Sequence, residues 1–236
     1  LYTVYCMDME AASTSEEEKK KWQNRVELLT PISKAYSTDK GYEVCTRAIQ
    51  VHGGYGFCTE YKVEQFARDC KITSIYEGTN GIQAIDLFGR KIRMKNGAAL
   101  NDILAEMRSA VAQASGIDEL KSYAAEVGRS VSALERITGF LLEKSAGDDM
   151  YLAYSWATPY LEIFGDVVLG WMFLIQAGKA CGRRAAGDDD QFYASKIATA
   201  KFYISSLLPH VYGKIEAIEK FDPSFCDLGE SIFIAD

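Results

Sequence analysis

The sequence predicts an all-α protein built as two helical bundles in succession. Period-two alternation of the strand kind is almost absent, and apolar residues recur at helical spacing over most of the chain. The 236 residues suffice for one large domain or two small ones. Charge and pattern also change together near Gly97. Residues 1–97 hold 14 Lys/Arg against 13 Asp/Glu, and residues 98–236 hold the remaining 12 against 20, a net −8. We therefore expect one domain over 1–97 and another over 98–236.

The chain opens at Leu1 without an initiator methionine or a signal-peptide pattern. Its first dozen residues read as the end of a truncated amphipathic helix, so a longer parent protein is expected. Ser13–Lys21 reads as a polar loop, with Ser13, Thr14 and Ser15 before Glu16–Glu18 in the style of an N-cap. A helix is expected from there to about Val51, its inner side marked by Ala35, Tyr42, Cys45, Ala48 and Ile49. Gly53 and Gly54 then supply residues able to take positive φ at a C-terminal cap. A short helix near Lys62–Arg68 and a turn at Ser74–Gly78 come next. Another helix is expected over Asn80–Lys95, burying Ile82, Ile85, Leu87 and Ile92.

Beyond Gly97, Leu100, Ile103, Leu104, Met107 and Val111 mark one helix. Leu120, Tyr123, Val127, Val131, Leu134, Ile137 and Leu141 mark the next, at nearly heptad spacing. A long helix is expected over Asp149–Ala186, with Pro159 bending it or marking its first turns. A fourth covers Gln191–Tyr212, using Ile197, Phe202, Ile204, Leu207 and Leu208, and Pro209 disturbs its end. Four such helices suffice for a bundle. The tail, Phe221–Asp236, reads as an extended arm.

Several function classes are disfavoured by composition. A net charge of −7 gives no general attraction to nucleic acid or acidic lipid. Six cysteines without a CxxC pair, and only two histidines, make a zinc site unexpected. Scattered thiols suit a reducing cytoplasm. The longest apolar stretch, Tyr160–Cys181, is interrupted by Glu162, Asp166 and Gln176, and reads as a buried bundle helix rather than a membrane span. His52 and His210 have no serine–acid arrangement near them, so neither supports a hydrolase triad.

Residues 50–83, QVHGGYGFCTEYKVEQFARDCKITSIYEGTNGIQ, concentrate the chemistry. Glu77 lies in a Tyr-Glu-Gly-Thr turn, and burial among Ile75, Tyr76 and Gly78 would make its carboxylate a better base toward a carbon acid. Gly78 lets backbone approach a ligand closely, and the helix that follows presents free N–H groups. A helix-capping role for Glu77 is the alternative. The bend His52-Gly53-Gly54-Tyr55-Gly56 follows a helix and lacks GxGxxG spacing, so it is no dinucleotide fingerprint. Read alone, it is equally a plain helix-ending turn.

The order and spacing of the bend, the Arg68-Asp69 pair and the Glu77 turn resemble the C-terminal signature of the flavin-dependent acyl-CoA dehydrogenases. The resemblance covers residues 1–97. It implies an acyl-CoA substrate, FAD as cofactor, and Glu77 as the base that removes the α-proton while the β-hydrogen leaves as hydride. The thioester carbonyl would accept hydrogen bonds from a flavin ribityl hydroxyl and from the Glu77 amide. Tyr76 would line the acyl pocket, with core packing as its alternative, and Gly78 would meet substrate. Gln50, Gly53 and Gly54 would reach the FAD of a neighbouring subunit, and Thr79 would touch the flavin dinucleotide. Gly81 stands where many members have glutamine, which removes one adenine-side contact. Arg68-Asp69 would be a structural ion pair holding the turn. Partners implied are electron-transfer flavoprotein and a sister subunit, in a homodimer or dimer of dimers, with no nucleic acid and no membrane. The helical domain after residue 97 is similar to that of the branch containing 3-methylmercaptopropionyl-CoA dehydrogenase. Two rivals stand beside this reading: a DNA-associated flavoprotein on the same scaffold, disfavoured by the −8 of the second domain, and a non-catalytic helical dimerisation module.

Overall fold

The computed structural model describes residues 1–188 and 190–224. Among them no strand occurs, and the chain runs through α1 (Tyr2–Ala12), α2 (Glu16–His52), α3 (Val63–Lys71), α4 (Asn80–Gly89), α5 (Ala98–Ser115), α6 (Lys121–Lys144), α7 (Met150–Ser155), α8 (Ala157–Ala185), α9 (Gln191–Phe202) and α10 (His210–Lys220). The all-α expectation holds. Two compact units divide these elements. One holds Leu1–Ile103 with Tyr160–Gly165, and the other holds Leu104–Pro159 with the chain from Asp166 onward.

In the first unit, the Ser15 side chain accepts the Glu18 amide at 3.5 Å, and Glu16–Glu18 lie in the first turn of α2. Cap and acidic turn start the helix at once. The expected loop to Lys21 therefore shrinks to Ser13–Ser15. The helix runs unbroken through Pro31 to His52 and buries Leu28, Leu29, Ile32 and Ala35. Of the inner side expected farther along, Tyr42 is exposed and Cys45 only half-buried. That half of α2 meets the short α3, which leaves one flank uncovered. The buried guanidinium of Arg25 donates from Nε to Asp102 at 2.6 Å and from Nη1 to the Tyr2 hydroxyl at 3.2 Å. Those bonds satisfy a charge that burial would otherwise penalise.

The helix expected over Asn80–Lys95 stops at Gly89. Lys95 and Asn96 take left-handed φ of 50° and 57°, and Met94 is extended, so Lys91–Gly97 is a kinked connection. Its inner stripe is Ala84, Leu87 and Phe88, three and four residues apart. Leu87 and Ile92 are buried as expected, whereas Ile82 and Ile85 face outward. The Phe88 ring meets Tyr160 edge-on at 5.9 Å, and Tyr160 meets Phe164 at 6.1 Å.

In the second unit, α6 buries Val127, Val131, Leu134, Ile137 and Leu141, the stripe read from the sequence. The expected helix over Asp149–Ala186 is two, parted at Trp156, with Pro159 in the first turn of α8, where its missing N–H costs nothing. By length and composition alone α8 could cross a membrane. Its Val167, Trp171, Leu174 and Ala177 are nonetheless fully packed, which marks a core helix. The expected Gln191–Tyr212 helix is also divided. A π-type turn occupies Tyr203–Leu207 before Pro209, and α10 continues to Lys220. This change of pitch turns Phe202 and Leu207 outward while Ile204 and Leu208 stay buried. Asp166, also buried, accepts from Lys214 Nζ at 2.9 Å. The tail read as an extended arm lies, from residue 225 on, outside the described residues.

Candidate active site

The turn bearing Glu77 is assembled by short-range bonds and then tied to α2. After α3, the Ile75 and Tyr76 amides both donate to the Ile72 carbonyl, at 2.9 and 3.0 Å, and coil the chain tightly. Glu77 and Gly78 follow with φ of 56° and 82°. Two consecutive left-handed residues reverse the chain, and Thr79 then caps α4, its hydroxyl accepting the Ile82 amide at 3.4 Å. Glycine takes this backbone region freely, but for glutamate it costs about 1–2 kcal/mol.

Bonds from outside the turn hold that strained residue. Lys34 Nζ donates to the Gly78 carbonyl at 2.7 Å and to Asn80 Oδ1 at 2.8 Å. Asn80 Nδ2 donates to the Ala35 carbonyl at 3.2 Å and to the Thr38 hydroxyl at 3.0 Å. Gln83 Nε2 donates to the Glu77 carbonyl at 3.3 Å. Lys34, Thr38, Asn80 and Gln83 were not singled out from sequence. Lys34 stands 44 residues before Gly78 and bonds to backbone, a contact with no residue-type signature.

Glu77 itself is bonded, among the described residues, through its carbonyl alone. Among the described residues, neither its amide N–H nor its carboxylate has a hydrogen-bond or ion-pair partner. A carboxylate and an N–H donor are therefore both left open on one residue. Capping of α4 falls to Thr79, not to Glu77. The expected apolar enclosure is absent: Ile75 and Tyr76 are half exposed, and Glu77 and Gly78 are exposed too. The turn projects from the ends of two short helices, so these residues provide no desolvation of the carboxylate.

The glycine bend is built differently. Gly53 ends α2 with φ 63°, its amide donating to the Gln50 carbonyl. A Cβ on either Gly53 or Gly54 would meet nothing within 4 Å, so both face open space. Gly56 is buried, and a Cβ there would fall 2.4 Å from the Ile49 carbonyl oxygen. The reading of the bend from sequence passed over Gly56, the glycine that packing requires. Gln50 is exposed, and His52 Nδ1 lies 3.0 Å from the Ala48 carbonyl. Gln50 and the clamp residue Lys34 are separated by about 24 Å along α2 at the usual helical rise. The structure thus groups Tyr76, Glu77, Gly78 and Thr79, and it sets Gln50, Gly53 and Gly54 apart from them.

The Arg68-Asp69 pair is not an ion pair across the turn. Arg68 Nε donates to Glu64 at 2.8 Å, one turn back in α3, because side chains four apart share a helix face and adjacent ones do not. Among the described residues no group of three or more His, Cys, Asp or Glu is placed to hold a metal ion.

Residues 1–92 match the profile of the acyl-CoA dehydrogenase C-terminal domain, and residues 103–229 match that described as acetyl-CoA dehydrogenase C-terminal like. A butyryl-CoA dehydrogenase of Syntrophomonas wolfei is 34% identical over 97% of this chain and 38% of its own length. The 3-methylmercaptopropionyl-CoA dehydrogenase of Ruegeria pomeroyi is 35% identical over 82% of this chain and 33% of its own length. The chain thus spans well under half the length of these relatives. An acyl-CoA dehydrogenase of Bacillus anthracis, solved as a complex with FAD, has the same fold at a TM-score of 0.72. It is 18% identical, over 97% of this chain and 39% of that one.

Proposed function

Because this chain belongs to the acyl-CoA dehydrogenase family, we propose that it is the C-terminal portion of an enzyme desaturating an acyl-CoA thioester, with Glu77 as the base. The observation that carries this reading is the Glu77 turn. One residue offers a carboxylate and an amide N–H that no described residue pairs, in a strained conformation over-determined by Lys34, Asn80 and Gln83.

In this reading Glu77 takes the α-proton onto its carboxylate. The Glu77 amide donates to the thioester carbonyl oxygen, where charge develops as the proton leaves. Tyr76 lines the acyl chain, and Gly78 lets the thioester approach the backbone. A bound FAD would supply the hydride-accepting chemistry for the β-hydrogen. The residues present suit that cofactor: Gly53 and Gly54 leave open space beside the backbone, and Thr79 lies at the start of α4. There the Asn80 and Gly81 amides are left over from the helix.

Desolvation of Glu77 we assign to the rest of the protein, since the described residues leave it exposed. From the same assignment we infer that the 236 residues alone are colourless and without turnover. The electrons must pass on, and electron-transfer flavoprotein is the proposed acceptor. A homodimer or dimer of dimers in the cytoplasm, with a domain division near Gly97, completes the proposal. Residues 98–236 are given a packing role without affinity for DNA, on the strength of their apolar stripes and net −8.

The test is Glu77→Gln in the full-length protein. Flavin absorbance and thioester binding should be kept, while turnover falls at least ~10²-fold, the scale of a positioned general base. A variant that still reduces its flavin at a near-normal rate would remove Glu77 from the mechanism.

A further inference from the structure

α2 and α3 bring two thiols together just before the Glu77 turn. Cys70, in the last turns of α3, rests its Sγ on α2, 3.9 Å from the Thr38 carbonyl oxygen. The same sulfur lies 3.1 Å from where a Cβ on Gly41 would stand. Glycine at 41 leaves the helix surface low enough for the sulfur to settle there. Cys45 is one turn farther along α2, and helical side chains lean back over the turn N-terminal to them. Its thiol therefore reaches over Gly41, where Cys70 lies. Both thiols are half-buried. Lys71, next to Cys70, holds its ammonium 5.0 Å from the centre of the Tyr42 ring and helps fix α3 on this stretch of α2.

We propose that Cys45 and Cys70 form a redox modification site, closing to an intramolecular disulfide on exposure to a peroxide or a small disulfide. With peroxide, the Cys70 thiolate attacks one oxygen, the O–O bond breaks, and sulfenic acid and hydroxide form. The Cys45 sulfur then attacks Cys70, the S–O bond breaks, and water leaves. Two thiols lose two electrons and two protons in all, and one peroxide becomes two waters. With a small disulfide, two successive exchanges give the same bridge and release two small thiols. Burial, and after it the neighbouring Cys70, push the Cys45 thiol up, so Cys45 is less often a thiolate and the first attack falls to Cys70. The bridge would fasten the end of α3 to α2. The Thr73 hydroxyl, donating to the Cys70 carbonyl at 2.5 Å, carries that restraint toward the turn that holds Glu77.

The test treats the 236-residue chain with hydrogen peroxide, blocks remaining thiols by alkylation, and maps the peptides. The expected product is one cross-linked pair containing Cys45 and Cys70. The chain mass should fall by two hydrogens, and dithiothreitol should reverse the change. Cys45→Ser should lose the cross-link and leave a sulfenic acid on Cys70 that dimedone traps, while Cys58→Ser keeps the cross-link. Oxidised glutathione should give the same bridge. Cys45 and Cys70 both remaining alkylatable while exposed Cys58 oxidises would overturn the proposal. So would a persistent glutathione adduct on Cys70 beside a free Cys45.

Discussion

Along α6, Val127, Val131, Leu134, Ile137 and Leu141 are all buried. Along residues 51–85, Val51, Tyr55, Phe57, Phe66, Ile72, Ile75, Tyr76, Ile82 and Ile85 are all exposed. The two stretches are similarly apolar, so hydrophobicity alone does not separate them. The first stripe is met within its own unit by α10 and the Tyr203–Leu207 turn, which bury Ile204, Val211 and Ile215. The second flanks both the glycine bend and the Glu77 turn. Single exposed apolar residues are ordinary, but a run of them around a candidate site marks a surface for another molecule or chain segment. The contrast is between residues that stabilise this chain and residues held ready for something else.

A pair of truncations tests that contrast most strongly. Leu134→Ala should cost about 2–5 kcal/mol, the range for a fully packed leucine. Ile82→Ala should stay within about 0.5 kcal/mol, as a surface change does. Urea denaturation of the chain reads both, and equal losses would erase the distinction.

A second pair works inside the glycine bend. Gly56→Ala must push a methyl group against the Ile49 carbonyl and should cost about 1–3 kcal/mol. Gly54→Ala meets open space and should shift the thermal midpoint little. If both are harmless, the bend is looser than its packing states.

The smallest effect belongs to the second unit and to alkaline pH. Tyr212, whose hydroxyl donates to Glu126 at 2.9 Å, has its pKa pushed up to about 12, first by burial and then by Glu126. Arg129 above the ring, 4.2 Å from its centre, pulls the other way. A group whose folded pKa is raised contributes stability that is full below its unfolded pKa of about 10 and lost as pH rises through the folded value. Melting temperature should therefore decline between pH 10 and 12, and Tyr212→Phe should flatten that decline. An unchanged slope in the variant would assign the decline to other groups.

What the sequence revealed follows from how far each signal reaches. The α6 stripe was legible because its apolar residues recur at one period and all serve one core. The cap at Ser15 and the end of α2 at Gly53 were legible because local chemistry sets them. The Gly89 stop was not, since Lys95 and Asn96 carry no obligatory left-handed preference and the stripe continues to Ile92. Ile82 and Ile85 look like core residues because a surface awaiting a partner has the composition of a core. The Glu77 turn was found from its neighbours in the chain. The Lys34 clamp was missed because a lysine bonding to a carbonyl far along the chain resembles any solvated lysine.

The left-handed backbone at Glu77 also sets how this position tolerates change. Glycine would relieve the strain, and asparagine would lessen it, since its short side chain tolerates that region. Among random variants screened only for heat resistance or solubility, glycine and asparagine should therefore accumulate at 77. Screening the same library for acyl-CoA oxidation in the full-length protein should return glutamate. Position 77 would then be a place where endurance and chemistry select opposite residues, the pattern left when a fold retains a costly conformation for use elsewhere than in folding.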